Sequence, residues 1–201
     1  ASERGRVLGV SALVGLAALA VYAATVQRGI SWQDSGEYQY KFLAGAYDWE
    51  VGAGIARLHP TYILLTRLLA ACLPWVGVPY VYTLSSGVGM ALALAVLVLT
   101  VYGMTRSLRA GCLAAVLLGG AHMAWWLSTM AEVYTWSVAF LIHQLACVMK
   151  TLRERSFAWF AGAIFLFKDL TEIRRLERAS ELNRQLAQVG ELTAGIVHEL
   201  R

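Results

Sequence analysis

The chain has 201 residues, of which 58% are apolar and 15% charged, and its mean hydropathy is +0.56. Soluble domains carry about 25% charged residues, so this composition excludes an ordinary soluble domain and predicts a membrane protein. The formal charge of +4 does not indicate nucleic-acid binding. The basic residues stand mainly at the ends of apolar segments and in the C-terminal stretch, where membrane topology and a solvated helix account for them.

Four apolar segments are long enough to cross a bilayer, which takes about 20 helical residues. They are 7–26, 80–104, 110–127 and 133–149. Basic residues flank their inner ends, namely Arg4, Arg6, Arg106, Arg109, Lys150, Arg153 and Arg155. By the positive-inside tendency, both termini are predicted to be cytoplasmic. Trp125 and Trp126 then fall at the outer interface, where aromatic rings collect.

The mixed segment 28–79 is predicted to be an outer loop that contains an interfacial or re-entrant helix at 62–73, a run too short to span. Counting that run as a fifth span would place Arg106 and Arg109 outside. The predicted fold is therefore an all-α membrane protein with about four transmembrane helices and one interfacial helix. We expect a multi-pass membrane protein.

Composition changes near the C-terminus, which gives three predicted regions: 1–156 in the membrane, a junction at 157–167, and a charged helix at 168–201. Apolar residues recur in that last helix at steps of four and three, as in a coiled coil. They are Leu182, Leu186, Val189, Ile196 and Leu200, with Thr193 interrupting the seam. The coiled coil is predicted to be cytoplasmic.

The chain begins at Ala1 and ends at Arg201 inside a recognisable motif, so we expect a fragment. The first apolar run is too long for the h-region of a signal peptide. Three widely spaced cysteines in apolar surroundings, Cys72, Cys112 and Cys147, have no metal-ligand spacing. Their odd number argues against a full disulfide framework and predicts buried free thiols.

Two carboxylates, Asp34 and Glu37, follow the first apolar segment in the run Trp-Gln-Asp-Ser-Gly-Glu at 32–37. On a helical turn, acids three residues apart share a face. They suit a general base paired with an orienting or metal-binding acid. The same letters also fit a helix start with Asp34 as the N-cap, and the spacing leaves both interpretations open.

Glu132 lies between two predicted spans, on the same predicted side as Asp34. An acid at the hydrocarbon boundary is costly and is often functional, although Glu132 could also extend into the headgroups. Arg57, His59 and Arg67 are cations on that side. They fit either a lipid phosphate or ordinary anchoring at the interface.

Three segments, 32–37, 59–62 (His-Pro-Thr-Tyr) and 131–134 (Ala-Glu-Val-Tyr), resemble the bacterial membrane family related to protein O-mannosyltransferases. These are glycosyltransferases of the GT-C type, and the resemblance covers about residues 7–160. It implies a protein of the bacterial inner membrane and a polyprenyl-phosphate-linked sugar as donor. Asp34 would be the catalytic acid or the ligand of a divalent cation. Glu37 and Glu132 would support Asp34, and Arg57 and His59 would contact substrate.

The C-terminal segment 190–201, with its Ala-Gly pair before His198 and Glu199, resembles the phosphoacceptor helix of sensor histidine kinases. Residues 169–172 (Asp-Leu-Thr-Glu) resemble the exit of a PAS sensor domain. This implies that His198 accepts phosphate from ATP bound to a kinase domain, with Glu199 assisting. It also implies a homodimer through the coil and a response regulator as partner.

The two resemblances favour a fusion of a glycosyltransferase-like membrane region with a histidine-kinase segment, joined near 156–167. The alternative is a membrane sensor histidine kinase whose membrane region serves only as sensor or anchor. Each part is incomplete beside its family. We therefore expect neither part to be active alone.

Overall fold

The computed structural model describes residues 2–30, 35–36, 39–40 and 60–154. Within these residues the structure is helical and contains no strand. The helices are α1 (Glu3–Thr25), α2 (Pro60–Cys72), α3 (Val78–Thr105), α4 (Leu108–Gly120), α5 (His122–Thr129) and α6 (Tyr134–Glu154). The predicted junction at 157–167 and the coiled coil at 168–201 lie outside the described residues.

Two helices, α1 and α3, are long and apolar enough to cross a membrane, and the bent pair α4 and α5 would be a third crossing if it forms one span. The predicted spans 7–26 and 80–104 thus correspond to observed helices. The short helix α2 coincides with the predicted interfacial helix. The predicted fourth span corresponds to α6, which has 21 residues but carries polar side chains such as His143, Gln144 and Lys150. Four spans therefore remain a prediction.

The expected span 110–127 is not one straight helix, because a bend of 66° separates α4 from α5. Ala121 has extended backbone angles there, with φ −64° and ψ 131°. Two glycines, which are poor helix formers, precede the bend, and the Gly119 carbonyl accepts a hydrogen bond from the Tyr22 hydroxyl at 3.2 Å. The sequence is largely apolar on both sides of this point, and the single polar residue His122 directly after Ala121 does not divide the segment in two by hydropathy.

Helix α3 is the centre of the bundle, since every other described helix contacts it. Small residues allow close approach, as is common between membrane helices. A Cβ on Gly15 of α1 would lie 3.1 Å from the Ala91 carbonyl oxygen of α3. A Cβ on Gly111 of α4 would lie 2.8 Å from the Val98 carbonyl oxygen of the same helix.

Contacts with α3 fix the direction of its neighbours. At the start of α1 the Glu3 carboxylate accepts a hydrogen bond from Tyr102, and further along Ser11 donates to the Ala95 carbonyl at 2.7 Å. Helix α1 therefore runs antiparallel to α3. Helix α4 is also antiparallel, because Gly111 lies against Val98 while Gly119 lies against Leu94.

Helix α6 runs in the same direction as α3. Its first turn places Trp136 against Ser85 and Gly89, and Ile142 then joins the buried cluster that contains Val98 further along α3. The start of α1 and the ends of α3 and α6 therefore meet at one end of the bundle. We call it the basic end, and its cations are Arg4, Arg6, Arg106, Arg109, Lys150 and Arg153.

The three cysteine thiols are free, as predicted, but two of them are not buried. Cys72, Cys112 and Cys147 are all free, but only Cys147 is buried. Cys112 is half-buried, and Cys72 is exposed at the last residue of α2. An apolar run predicts a helix without saying which of its faces is covered, and a helix that skirts a bundle leaves one face uncovered.

The close approach at Gly111 gives a stability prediction. Gly111→Ala should lower the free energy of unfolding by about 1–3 kcal/mol, because the new methyl group meets backbone that cannot swing away. Gly120→Ala in the same helix has open space around it and should be neutral or slightly stabilising. Unfolding of both variants in detergent, followed by circular dichroism, measures the difference. Equal stability of the two would contradict the tight packing of α4 on α3.

Candidate functional site at Glu132

Glu132 lies in the short connection between α5 and α6, and Ser86 of α3 holds its backbone on both sides. The Glu132 amide donates to the Ser86 hydroxyl oxygen at 2.9 Å, and that hydroxyl donates to the Glu132 carbonyl at 2.8 Å. Ser86 is fully buried. The Glu132 amide also donates to the Met130 carbonyl at 2.9 Å. One serine therefore contacts both polar backbone groups of a residue that lies in a break between helices.

The Glu132 side chain meets the stretch that follows α1. Its Oε1 atom accepts a hydrogen bond from the Ser35 hydroxyl at 2.8 Å. Ser35 is buried, and both it and Gly36 have helical backbone. Glu132 itself is half-buried. A carboxylate held in this way can accept a proton or contribute an oxygen ligand.

The beginning of α2 packs against the same connection. Tyr62 and Tyr82 form a buried cluster with Ala131 and Val133, the two neighbours of Glu132. The two tyrosine rings meet edge to face, with centroids 5.6 Å apart and planes at 80°. The Tyr62 hydroxyl donates to the Tyr82 carbonyl at 3.1 Å. Aromatic packing and a hydrogen bond therefore fix α2 next to Glu132.

A second hydroxyl group of α3, beside Ser86, joins α2 to α6. The Ser85 oxygen accepts from the Thr66 hydroxyl at 2.8 Å and from the Trp136 indole N–H at 3.2 Å. Gly89 makes room for that indole, since a Cβ there would lie 3.1 Å from the ring. Hydrogen bonds to Ser85 thus join α2, α3 and α6 next to Ser86, the residue that contacts Glu132.

The end of α1 reaches this region through backbone contacts. The Gln27 amide donates to the Thr129 carbonyl at 3.0 Å, and the Gln27 carbonyl accepts from the Thr83 hydroxyl at 2.8 Å. Gln39, which is fully buried, donates to the Pro79 carbonyl at 3.1 Å. We call this region, with Glu132 at its centre, the polar end.

One buried hydroxyl in the polar end has no hydrogen-bond partner. Thr135 lies in the first turn of α6 and is fully buried, and its Oγ1 atom is unpaired. That oxygen would lie 3.1 Å from a Cβ on Gly89. An unpaired buried hydroxyl costs free energy. Thr135 is therefore a position at which a polar atom of the described polar end lacks a hydrogen bond.

Of the residues predicted to carry chemistry or to bind a lipid phosphate, the structure describes Glu132 and Arg67, and Arg67 is exposed on α2. Asp34, Glu37, Arg57, His59, His198 and Glu199 lie outside the described residues. No group of three or more histidine, cysteine, aspartate or glutamate side chains that could hold a metal occurs within the described part of the chain. That part does not include Asp34, where a divalent cation is predicted.

Sequence reasoning missed the hydroxyl residues that position Glu132. Ser85 and Ser86 stand in the run Thr-Leu-Ser-Ser-Gly at 83–87, inside an apolar segment. Small polar residues within a span often form contacts between helices, and that run was the available signal. It does not reveal that Ser86 contacts the Glu132 backbone, because the two residues are 46 positions apart in the chain.

No family model, curated protein or solved structure matches the chain.

The hydrogen bond between Ser35 and Glu132 predicts an energetic coupling. Ser35→Ala and Glu132→Ala combined should depart from additivity by about 0.5–3 kcal/mol, as expected for residues in direct contact. Unfolding in detergent of the two single variants and the double variant measures this term. Thr100→Ala is the control partner for Glu132→Ala, because the Thr100 hydroxyl bonds within its own helix to the Val96 carbonyl. That pair should be additive within about 0.5 kcal/mol, and additivity of the Ser35 pair as well would refute the contact.

Proposed function

We propose that the membrane region is the N-terminal part of a GT-C-type glycosyltransferase that takes a polyprenyl-phosphate-linked sugar at the outer membrane face. We also propose that segment 168–201 is a histidine-kinase phosphoacceptor helix fused to it. The polar end would then face outward, and the basic end would face the cytoplasm of a bacterial cell, in keeping with the positive-inside tendency.

The observation that supports this proposal is the meeting of the three segments that carry the resemblance. Ser35 belongs to 32–37, Tyr62 to 59–62, and Glu132 to 131–134. Ser35 hydrogen-bonds Glu132, and Tyr62 belongs to the buried cluster that contains both neighbours of Glu132. Segments that are separated along the chain but converge on one carboxylate are the arrangement expected of a site assembled by the fold.

The proposed roles follow from the resemblance and from the contact between Ser35 and Glu132. Asp34 precedes Ser35 directly in the chain, and Ser35 is hydrogen-bonded to Glu132. Asp34 would act as the base towards the acceptor or as a ligand of a divalent cation. Glu132 would support it as a second carboxylate. Glu37, Arg57 and His59 retain their proposed supporting and substrate-contacting roles.

Asp34→Asn should lower sugar transfer by about 100-fold or more, which is the size of a general-base contribution, without changing the amount of protein in the membrane. Transfer from a radiolabelled polyprenyl-phosphate sugar, in membranes that contain the complete glycosyltransferase of which this region is the proposed N-terminal part, measures this. Glu154→Gln alters an exposed acid at the other end of the bundle and should leave transfer unchanged. Undiminished transfer by the Asn variant would refute the role of Asp34.

A second candidate function, a membrane sensor histidine kinase, is favoured by the direction of α6. This helix runs in the same direction as α3 and ends at Glu154, towards the basic end. The chain therefore enters its C-terminal segment from that side. A cytoplasmic position is what a phosphoacceptor helix with ATP and a response regulator as partners requires.

Phosphate labelling tests the C-terminal segment independently of sugar transfer. A histidine-kinase core supplied with radiolabelled ATP should phosphorylate the chain, because the proposed nucleophile is the His198 imidazole. His198→Gln should abolish the label, and the control His143→Gln should retain it. Label that survives the His198 change would place the phosphate elsewhere.

A further inference from the structure

The basic end gathers cations from separate parts of the chain. All six side chains, Arg4, Arg6, Arg106, Arg109, Lys150 and Arg153, are exposed. They come from the start of α1, the turn between α3 and α4, and the end of α6. A rise of about 1.5 Å per residue puts Lys150 about 21 Å beyond Trp136. The end of α3 lies about 24 Å beyond Gly89. Because Trp136 lies against Gly89, Lys150 and the end of α3 are at a similar depth along the bundle.

Helix electrostatics explain only half of this set. Arg106, Lys150 and Arg153 are at or near helix C-termini, where a cation is favoured. Arg4, Arg6 and Arg109 are near the N-termini of α1 and α4, where a positive charge meets the positive end of the helix dipole. These three arginines therefore oppose the stability of their own helices. An anion from outside the described part of the chain would relieve this opposition.

Neighbouring acids balance the cations incompletely. Glu3 is the acid in the first turn of α1, and its carboxylate is hydrogen-bonded to Tyr102. Glu154 closes α6. Beside six cations, these two acids leave a formal excess of four positive charges at the described basic end.

We propose that the basic end binds the phosphate headgroups of anionic phospholipids. Such headgroups surround the end of any helix bundle that spans a membrane. Guanidinium groups pair with phosphate oxygens through two parallel hydrogen bonds, and clustered basic residues next to a membrane helix attract anionic lipid. This inference is independent of the proposed sugar transfer, which concerns the opposite end of the bundle.

Native mass spectrometry of the full chain in detergent with equal amounts of phosphatidylglycerol and phosphatidylcholine tests the proposal. The wild-type chain should retain phosphatidylglycerol in preference, and Arg109→Gln should reduce that preference about fivefold. The triple variant R4Q/R6Q/R109Q should reduce it by about tenfold or more. Arg28→Gln, which removes an exposed arginine after the other end of α1, should not reduce it.

Two further measurements distinguish lipid binding from a loss of fold and from binding of free phosphate. Arg109→Lys keeps the charge and should retain most of the preference, which distinguishes lost lipid binding from a lost fold. Sodium phosphate and sodium chloride at equal ionic strength should weaken lipid binding equally. Stronger competition by phosphate would indicate a site for free phosphate and would overturn the proposal. Equal retention of the two lipids by the wild-type chain, or an equal loss in the Arg28 variant, would also overturn it.

Discussion

The polar end depends on the way in which Ser86 holds the backbone of Glu132. A break between two membrane helices exposes amide and carbonyl groups that hydrocarbon cannot hydrogen-bond. The Ser86 hydroxyl satisfies both groups of one residue, at 2.9 and 2.8 Å. Because the backbone is fixed there, the Glu132 carboxylate can meet Ser35, and its two neighbours can join the buried cluster of Tyr62 and Tyr82.

The same helix organises the opposite end. Helix α3 supplies Ser85 and Ser86 near its start and Tyr102 and Arg106 at its end. Glycines on α1 and α4 allow these helices to approach its backbone closely, as membrane packing requires where no water drives association. Helix α1 runs antiparallel to α3, and α6 runs parallel to it. The described bundle therefore has a polar end, with hydroxyl groups around Glu132, and a basic end, where the cations lie. The proposed sugar site and the proposed lipid-binding site each occupy one of these ends.

Apolar length was enough to predict α1, α2 and α3 to within a few residues, because uninterrupted hydrophobic runs identify helices regardless of their neighbours. It failed at Ala121, where the chain bends 66° inside a largely apolar segment that was predicted to be one span. Topology predicted Glu132 on the side of the 32–37 stretch, and the hydrogen bond from Ser35 joins these two segments. The role of Ser86 could not be predicted, since a hydroxyl within a span gives no indication of which partner the fold will bring to it.

Photocrosslinking from position 62 tests the central claim, that α2 and the Glu132 connection meet at the polar end. Tyr62 can be replaced by p-benzoylphenylalanine, which keeps an aromatic ring at a site that is 2% exposed. After irradiation in lipid nanodiscs, peptide mapping by mass spectrometry should find adducts in segment 131–133, next to adducts at Tyr82. Adducts to lipid alone, with none in 131–133, would contradict the convergence of these segments on Glu132.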